Sequence, residues 1–373
     1  MEKYDNRTIG DSKRGIEMTS DMKSVCISHN GIDVTFYSTD YEEINAIINC
    51  FGHFWTVKDS LNTVAGWSVV SHQVSTIEDI IDVNKLTFTT GLFKNASVMN
   101  MVVKEKHYFL HNIQNVACLT CIDLENNTTH FYHEHKINEY SYIRNLVREP
   151  IAAKYQESGY ITMHASACSI DGKGILMPGF KGAGKSTLLS HLLEGGASYI
   201  GNDAVLCKNE NDSIILTAYP QCIRLSKETV QNNGPLSEYF NNAEHYDFIN
   251  NKIEFLPSLL DSIFTMHHLS FVSKMELIII PSIDFSKTDY SIEFSDNNEY
   301  LSLLQKSTFY QYHSYVWSPF FHELNDPLID ISSFANVFHS MPRICILKYG
   351  ILDAKKKNEL FCDISNIVLR EKV

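Results

Sequence analysis

The sequence predicts an α/β chain of two domains: an N-terminal α+β domain over residues 1–138, and over residues 139–373 a domain whose mixed sheet carries a glycine-rich loop. Three observations predict it. A tight pair of β-rich runs, separated by Asn30-Gly31, opens the chain. Two further runs, Ile161 to Ile170 and Gly174 to Met177, are joined so closely by Asp171-Gly172 that they must be antiparallel. Directly after them comes Gly179-Phe180-Lys181-Gly182-Ala183-Gly184-Lys185-Ser186, set between an apolar strand and a helical pattern.

In order along the chain, Ser24 to His29 and Ile32 to Ser38 read as a hairpin, because Asn-Gly suits the positive φ angles of a type I′ turn. A helix is expected to open at Thr39, with Glu42 completing a capping box. Ile44, Ile47, Ile48 and Phe51 would form its apolar stripe. Strand-like segments follow, among them Ser97 to Gln114 and the pair Val116–Leu124 with His130–Lys136. From about Tyr140, Ile143, Leu146, Val147 and Ile151 outline a helix kinked or interrupted at Pro150. Beyond the glycine-rich loop, Leu188, Leu189, Leu192 and Leu193 mark one side of a helix that Gly195-Gly196 would end. Gln231 to Asn251 reads as a long mobile excursion near the loop. Strands at Glu276–Ile280, Tyr290–Ser295 and Arg343–Lys348, helices at Asn298–Gln305 and Ser332–His339, and a final helix complete the domain.

The bulk numbers exclude several classes. A formal net charge of −13, with scattered lysines and arginines, argues against nucleic acid or an anionic membrane as the main partner. The one basic run, Lys355-Lys356-Lys357, is read as a solvated helix face. No run spans a bilayer, and Leu277 to Ile280 is cut short by Pro281. The polar stretch Met1 to Gly15 resembles neither a secretory signal nor a transit peptide, so a cytoplasmic location is the default expectation. Nine cysteines in such a chain imply buried thiols rather than a disulfide framework. Cys118 and Cys121 form a lone CxxC, and His133 and His135 would share a strand face, but neither pair has the partners that a metal site needs.

The glycine-rich run satisfies GxxxxGK[ST] in full. Gly179, Gly182 and Gly184 allow the backbone to turn its N–H groups toward an anion. Lys181, Ala183 and Thr187 would join them in cradling phosphates, with Lys185 reaching the β- and γ-phosphates. The Ser186 hydroxyl would bind Mg²⁺, and the helix that starts here presents its positive end. ATP with Mg²⁺ is the expected ligand.

After Lys185 comes Tyr199-Ile200-Gly201-Asn202-Asp203-Ala204-Val205, and upstream lies His164. Together the string HASACSIDGKGILMPGFKGAGKSTLLSHLLEGGASYIGNDAV resembles the core of the HPr kinase family. It is similar, more distantly, to the phosphoenolpyruvate carboxykinases, which share that P-loop fold. The match covers roughly residues 160–206 and is weak elsewhere. The resemblance implies that Asp203 faces the metal and the reacting phosphate, and that His164 stands near the acceptor. At the first of the family's two acidic positions this chain has Asn202, a departure, since an amide takes no proton.

The leading expectation is a kinase moving the γ-phosphate of ATP to a hydroxyl, on a small molecule or on a Ser/Thr of a peptide or small protein. Arg224 is a candidate to clamp phosphate or fix the acceptor, a surface ion pair being its alternative. Lys252 reads more simply as a solvated loop lysine. The rival expectation is a nucleotide-binding regulator or scaffold with little turnover, which Asn202 favours. A motor-type ATPase or GTPase would need a strand ending in acid, and Glu276 to Ile280 ends in Pro281-Ser282. Homo-oligomerisation is expected by analogy only.

Overall fold

The computed structural model describes residues 21–29, 32–52, 56–58, 66–81, 89–93, 96–103, 106–123, 125–137, 141–219, 221–242, 251–264, 270, 272–295, 297–309, 331–339 and 342–370. The chain divides into two compact units, the first running to Ala152 and the second starting at Ala153.

In the first unit β1 (Lys23–His29) and β2 (Ile32–Ser38) pair antiparallel with His29 opposite Ile32. A two-residue connection imposes that register; Asn30 and Gly31 themselves lie outside the described residues. Helix α1 (Tyr41–Phe51) is capped by Asp40 rather than by the expected Thr39, because Asp40 Oδ1 accepts the Glu42 N–H at 2.8 Å. Ile44, Ile47 and Phe51 are buried, but Ile48 is 36% exposed and Glu43 is 2% exposed. The Glu43 carboxylate accepts the Ser38 hydroxyl at 2.6 Å, which is how a charged residue type sits on a face read as apolar. The remaining strands are β3 (Thr56–Lys58), β4 (Trp67–Gln73), β5 (Thr89–Phe93), β6 (Ala96–Val103), β7 (Lys106–Ile113), β8 (Val116–Asp123) and β9 (Thr128–His133). They form a nine-stranded sheet in the order β3-β1-β2-β4-β9-β8-β7-β6-β5, with β4 parallel to β2 and β9 and the other pairs antiparallel.

Cys118 and Cys121 are an odd number of residues apart on β8 and therefore point to opposite faces. Burial pushes both thiols up, Cys118 to about 12 and Cys121 to about 11, so both stay protonated at neutral pH. His135 does not share a strand face with His133: β9 ends at His133, whose Nδ1 meets the His135 carbonyl at 3.0 Å.

Helix α2 (Ser141–Glu157) runs through Pro150 and buries Ile143, Leu146, Val147 and Ile151. Its Tyr142 hydroxyl lies 3.0 Å from Thr120 Oγ1 and 2.8 Å from His111 Nε2. These bonds tie its first turn to β7 and β8, so the division falls inside the helix rather than at 138/139.

The second unit is an α/β domain on a ten-stranded mixed sheet, beside a separate two-stranded one. It begins with β10 (Ile161–Met163), β11 (Ala165–Ile170), β12 (Lys173–Pro178), α3 (Lys185–Gly195), β13 (Ser198–Gly201), β14 (Val205–Glu210), β15 (Ser213–Ala218), β16 (Ile223–Ser226), α4 (Lys227–Gln231), α5 (Gly234–Asn242) and β17 (Lys252–Phe255). It continues with α6 (Leu260–Ile263), β18 (Val272–Ile283), β19 (Tyr290–Phe294), α7 (Asn297–Lys306), β20 (Thr308–Phe309), α8 (Ile331–Val337), β21 (Arg343–Tyr349) and α9 (Ala354–Leu369). The centre is parallel, with β18 between β12 and β21, and antiparallel strands flank it. Leu304 of α7 and Phe334 and Val337 of α8 pack on Leu176, Ile278 and Ile344. Alternation turns Ile175 and Met177 to the other face, and α3 packs against β11, α9 against β12, and the two helices against each other.

Three sequence expectations change here. The single strand Ile161–Ile170 is two strands, β10 pairing with β14 and β11 with β12 and β13, broken at His164. The excursion Gln231–Asn251 contains α5, while 243–250 lie outside the described residues. Lys357 is not solvated: it is 8% exposed, and its ammonium donates to Glu194 and to the Asn232 carbonyl.

Candidate functional site

The loop between β12 and α3 is shaped by glycine where nothing else fits. Gly184 caps α3 at φ +96°, and a Cβ there would lie 2.4 Å from the Tyr349 hydroxyl and 2.9 Å from Ile283. Tyr349 in turn donates to the Gly184 carbonyl at 2.6 Å, and the Ile283 N–H donates to Ala183 O at 3.2 Å. The C-terminal ends of β18 and β21 thus brace one flank of the loop, at the strand ends where parallel sheets place their ligands. The far end of α3 stops as its glycines require, with Gly196 at φ +113° donating to Leu192 and Leu193.

Lys185 is the first residue of α3 and is 6% exposed. Its ammonium donates to the Gly179 carbonyl at 2.7 Å and the Phe180 carbonyl at 3.2 Å, and it forms no ion pair with a described carboxylate. Burial lowers its proton affinity, the Asp203 charge raises it and Lys252 lowers it again. A buried cation whose hydrogen bonds, among the described residues, go to neutral carbonyls, at a helix end that itself favours anions, makes an electropositive cradle. Phe180 and Lys181 on its rim are exposed.

On the other flank, β13 breaks before β14 begins, and Asn202 and Asp203 occupy the break. Asn202 is 0% exposed and every polar atom of its side chain is used. Its Oδ1 accepts from Ser186 Oγ at 2.9 Å and from Ser166 Oγ at 2.8 Å, and its Nδ2 donates to the Arg224 carbonyl at 3.0 Å. Its own carbonyl accepts from Gln221. Because the Ser186 proton goes to Asn202, the oxygen lone pairs of Ser186 point elsewhere, as a cation ligand requires. Asp203 sits at φ +67°, a left-handed conformation that short polar residues tolerate. Its carbonyl meets His164 Nδ1 at 3.1 Å. A carbonyl only accepts, so Nδ1 carries the proton and Nε2 is the basic nitrogen of the neutral ring. Burial first, and the Lys185 charge second, hold His164 below the usual histidine range. The imidazole is therefore neutral near pH 7.

His164, Lys185, Ser186 and Asp203 are thus brought to one edge of the sheet. Two expected residues stand differently. Arg224 reaches the site by its backbone carbonyl, while its guanidinium Nε donates to Glu254 at 2.9 Å. Thr187 turns its hydroxyl to Thr229 at 2.9 Å rather than into the loop. What sequence reading missed is the Asn202 hub, and the only signal for it was its position beside Asp203.

The hub supports a prediction. Asn202→Asp would set a carboxylate oxygen against the Arg224 carbonyl at the 3.0 Å now spanned by a hydrogen bond. Urea unfolding at pH 8 should show a loss on the order of 2 kcal/mol, the cost of a buried acceptor without a donor. A variant as stable as the wild type would mean that the hub does not hold that strand.

No family model matches the chain, and no curated protein matches it. Among solved structures, the Hpr(Ser) kinase/phosphatase from Coxiella burnetii is similar, at 16% sequence identity and a TM-score of 0.24, over 56% of this chain and 93% of that one.

Proposed function

We propose that this protein is a phosphotransferase that uses ATP and Mg²⁺ to phosphorylate an alcohol, in the manner of the HPr kinase family that its core sequence resembles. The observation that carries the reading is the buried ammonium of Lys185, without an ion-paired carboxylate among the described residues, at the N-terminus of α3 and within electrostatic reach of Asp203 and His164.

The residues fit the groups implied. Gly179, Gly182, Ala183 and Gly184 offer backbone N–H groups, Lys181 a rim charge, and Lys185 an ammonium that would exchange two carbonyls for phosphate oxygens. Ser186 and Asp203 are hard oxygen donors, the few protein ligands that Mg²⁺ takes when phosphates complete its shell. ATP with Mg²⁺ supplies the phosphoryl group and neutralises its charge. His164 Nε2 accepts the proton of the incoming hydroxyl as its oxygen bonds to the γ-phosphorus and the bridging P–O bond to ADP breaks. Asp203 steadies the imidazolium that results. Asn202 orients Ser186 and takes no proton. The acceptor is a small molecule or a Ser/Thr of a peptide or small protein. Arg224 would join the site only by leaving Glu254.

The test follows γ-labelled ATP with Mg²⁺ in a cell extract, with wild type and Asp203→Asn, which keeps the left-handed backbone. Label should reach one acceptor class with wild type and fall by about 10²–10⁴-fold in the variant. The second reading, a nucleotide-binding regulator with little turnover, is favoured by the full structural engagement of the Asn202 amide. It prevails if nucleotide binds and no label moves.

A further inference from the structure

We propose that Lys252 is a second phosphate-binding cation, which takes the terminal phosphate of a nucleoside triphosphate held by the Gly179–Ser186 loop. This rests on the nucleotide reading above and goes beyond it, since the sequence weighs a site role for Lys252 and favours the simpler reading of a solvated loop lysine.

The argument starts from the small sheet. β16 and β17 pair with Arg224 opposite Glu254 and Ser226 opposite Lys252. Alternation buries Ile223, Leu225, Ile253 and Phe255 on one face and leaves Arg224, Ser226, Lys252 and Glu254 on the other. The pair is tied to the site by the Asn202 bond to the Arg224 carbonyl at 3.0 Å, and its far corner is closed by Lys227 N–H to Asn251 O at 3.0 Å. Arg224 is neutralised by Glu254 at 2.9 Å. Lys252, on the same face, has no ion pair with a described residue, and its charge reaches both Lys185 and His164.

Elsewhere in this unit several surface lysines sit on acids, Lys208 on Glu210, Lys274 on Glu276, Lys348 on Glu293 and Lys356 on Asp289. Lys173 donates to the Leu369 carbonyl, and Lys181 and Lys306, like Lys252, form no ion pair with a described residue. A chain with 44 acidic and 31 basic residues has carboxylates to spare, yet Lys252 has no acid among the described residues and its charge adds to that of a buried lysine, which runs against electrostatic comfort. Among the described residues, Asp203 is the one carboxylate whose charge acts on both Lys185 and His164. A phosphate dianion relieves this surplus. The terminal phosphate is the one concerned, because Lys252 acts on the flank with His164 and Asp203, whereas Ile283 and Tyr349 brace the other flank.

The experiment is calorimetric titration of the full chain with Mg²⁺ and either ADP or β,γ-imido-ATP, for wild type, Lys252→Gln and Lys252→Arg. The glutamine variant should weaken the imido triphosphate about tenfold or more and leave ADP within about twofold, and the arginine variant should restore most of the difference. Equal weakening of both nucleotides, or of neither, while wild type binds both, overturns the role of Lys252 and leaves the nucleotide site standing. If wild type binds neither nucleotide, the nucleotide reading fails and this inference with it.

Discussion

Replacing Lys185 by methionine should lower phosphoryl transfer by about 10²–10³-fold or more, while the ligand-free protein stays at least as stable as the wild type. The two halves of that result come from one cause. Lys185 is 6% exposed, and its ammonium leans on the Gly179 and Phe180 carbonyls, with the charge of Asp203 offsetting its desolvation only in part and no carboxylate among the described residues in ion-pair contact. Charge-assisted bonds to neutral groups return about 1.5–3 kcal/mol, against a burial cost of several kcal/mol. Methionine keeps the apolar stem and removes the charge. The carbonyls that lose a donor line a loop that borders exposed Phe180 and Lys181, where water can replace it. The ligand-free melting temperature should therefore hold or rise, and the upward shift given by ATP with Mg²⁺ should vanish. A variant that melts well below the wild type would show that Lys185 holds the loop together. One that still melts higher with nucleotide would end its assignment as a phosphate ligand.

Several parts of this site are legible in sequence because they are local. The run from Gly179 to Ser186, the leucines of α3 and its Gly196 stop follow from backbone freedom and a helical period, and each appears at its expected place. Asp171-Gly172 gives the antiparallel pair of β11 and β12 for the same reason. Long-range choices were not legible. Whether Ile161 to Ile170 is one strand or two depends on β14 competing with β12 and β13 for partners, and the break puts His164 at the site. The role of Asn202 depends on hydroxyls at 166 and 186 and a carbonyl at 224, three segments that no spacing rule connects. Lys252 is placed by a strand register, and Lys357 by an acid on another helix. Such contacts are set by packing of the whole unit, and a side chain like Lys357 enters the interior only because a distant partner is there to meet it.

The first unit should lose stability steeply as pH falls from about 6.5 toward 4. His72 is 8% exposed, stacked on Tyr132 and 3.2 Å from His130 Nδ1. Burial, with the His130 and His133 charges behind it, pushes it down to about 4. His111, which bonds Tyr142 and lies against Phe131, is pushed down by burial to about 4 as well. Both rings are neutral in the folded chain and take up protons near 6.5 when it unfolds, so between those values the unfolded state binds more protons. Their contribution is complete above about 6.5 and is lost as pH drops through about 4, at ~1.4 kcal/mol per pH unit for each ring. Glu43 works in the opposite sense. Burial raises its carboxyl, so acidification favours the folded form over part of the same range. Two histidines outweigh one carboxyl, and the net loss by pH 5 should be ~2–4 kcal/mol, a large share of an ordinary domain's ~5–15 kcal/mol. Urea midpoints at pH 7, 6 and 5, read by the near-ultraviolet signal of Trp67, measure it. A His72→Gln, His111→Gln double variant keeps hydrogen-bonding amides at both places and cannot titrate, so its midpoint should start lower at pH 7 and change less by pH 5. If wild type and double variant decline in parallel, the acid sensitivity lies in the carboxylates, and the two imidazoles are not the groups that must stay neutral for this sheet to form.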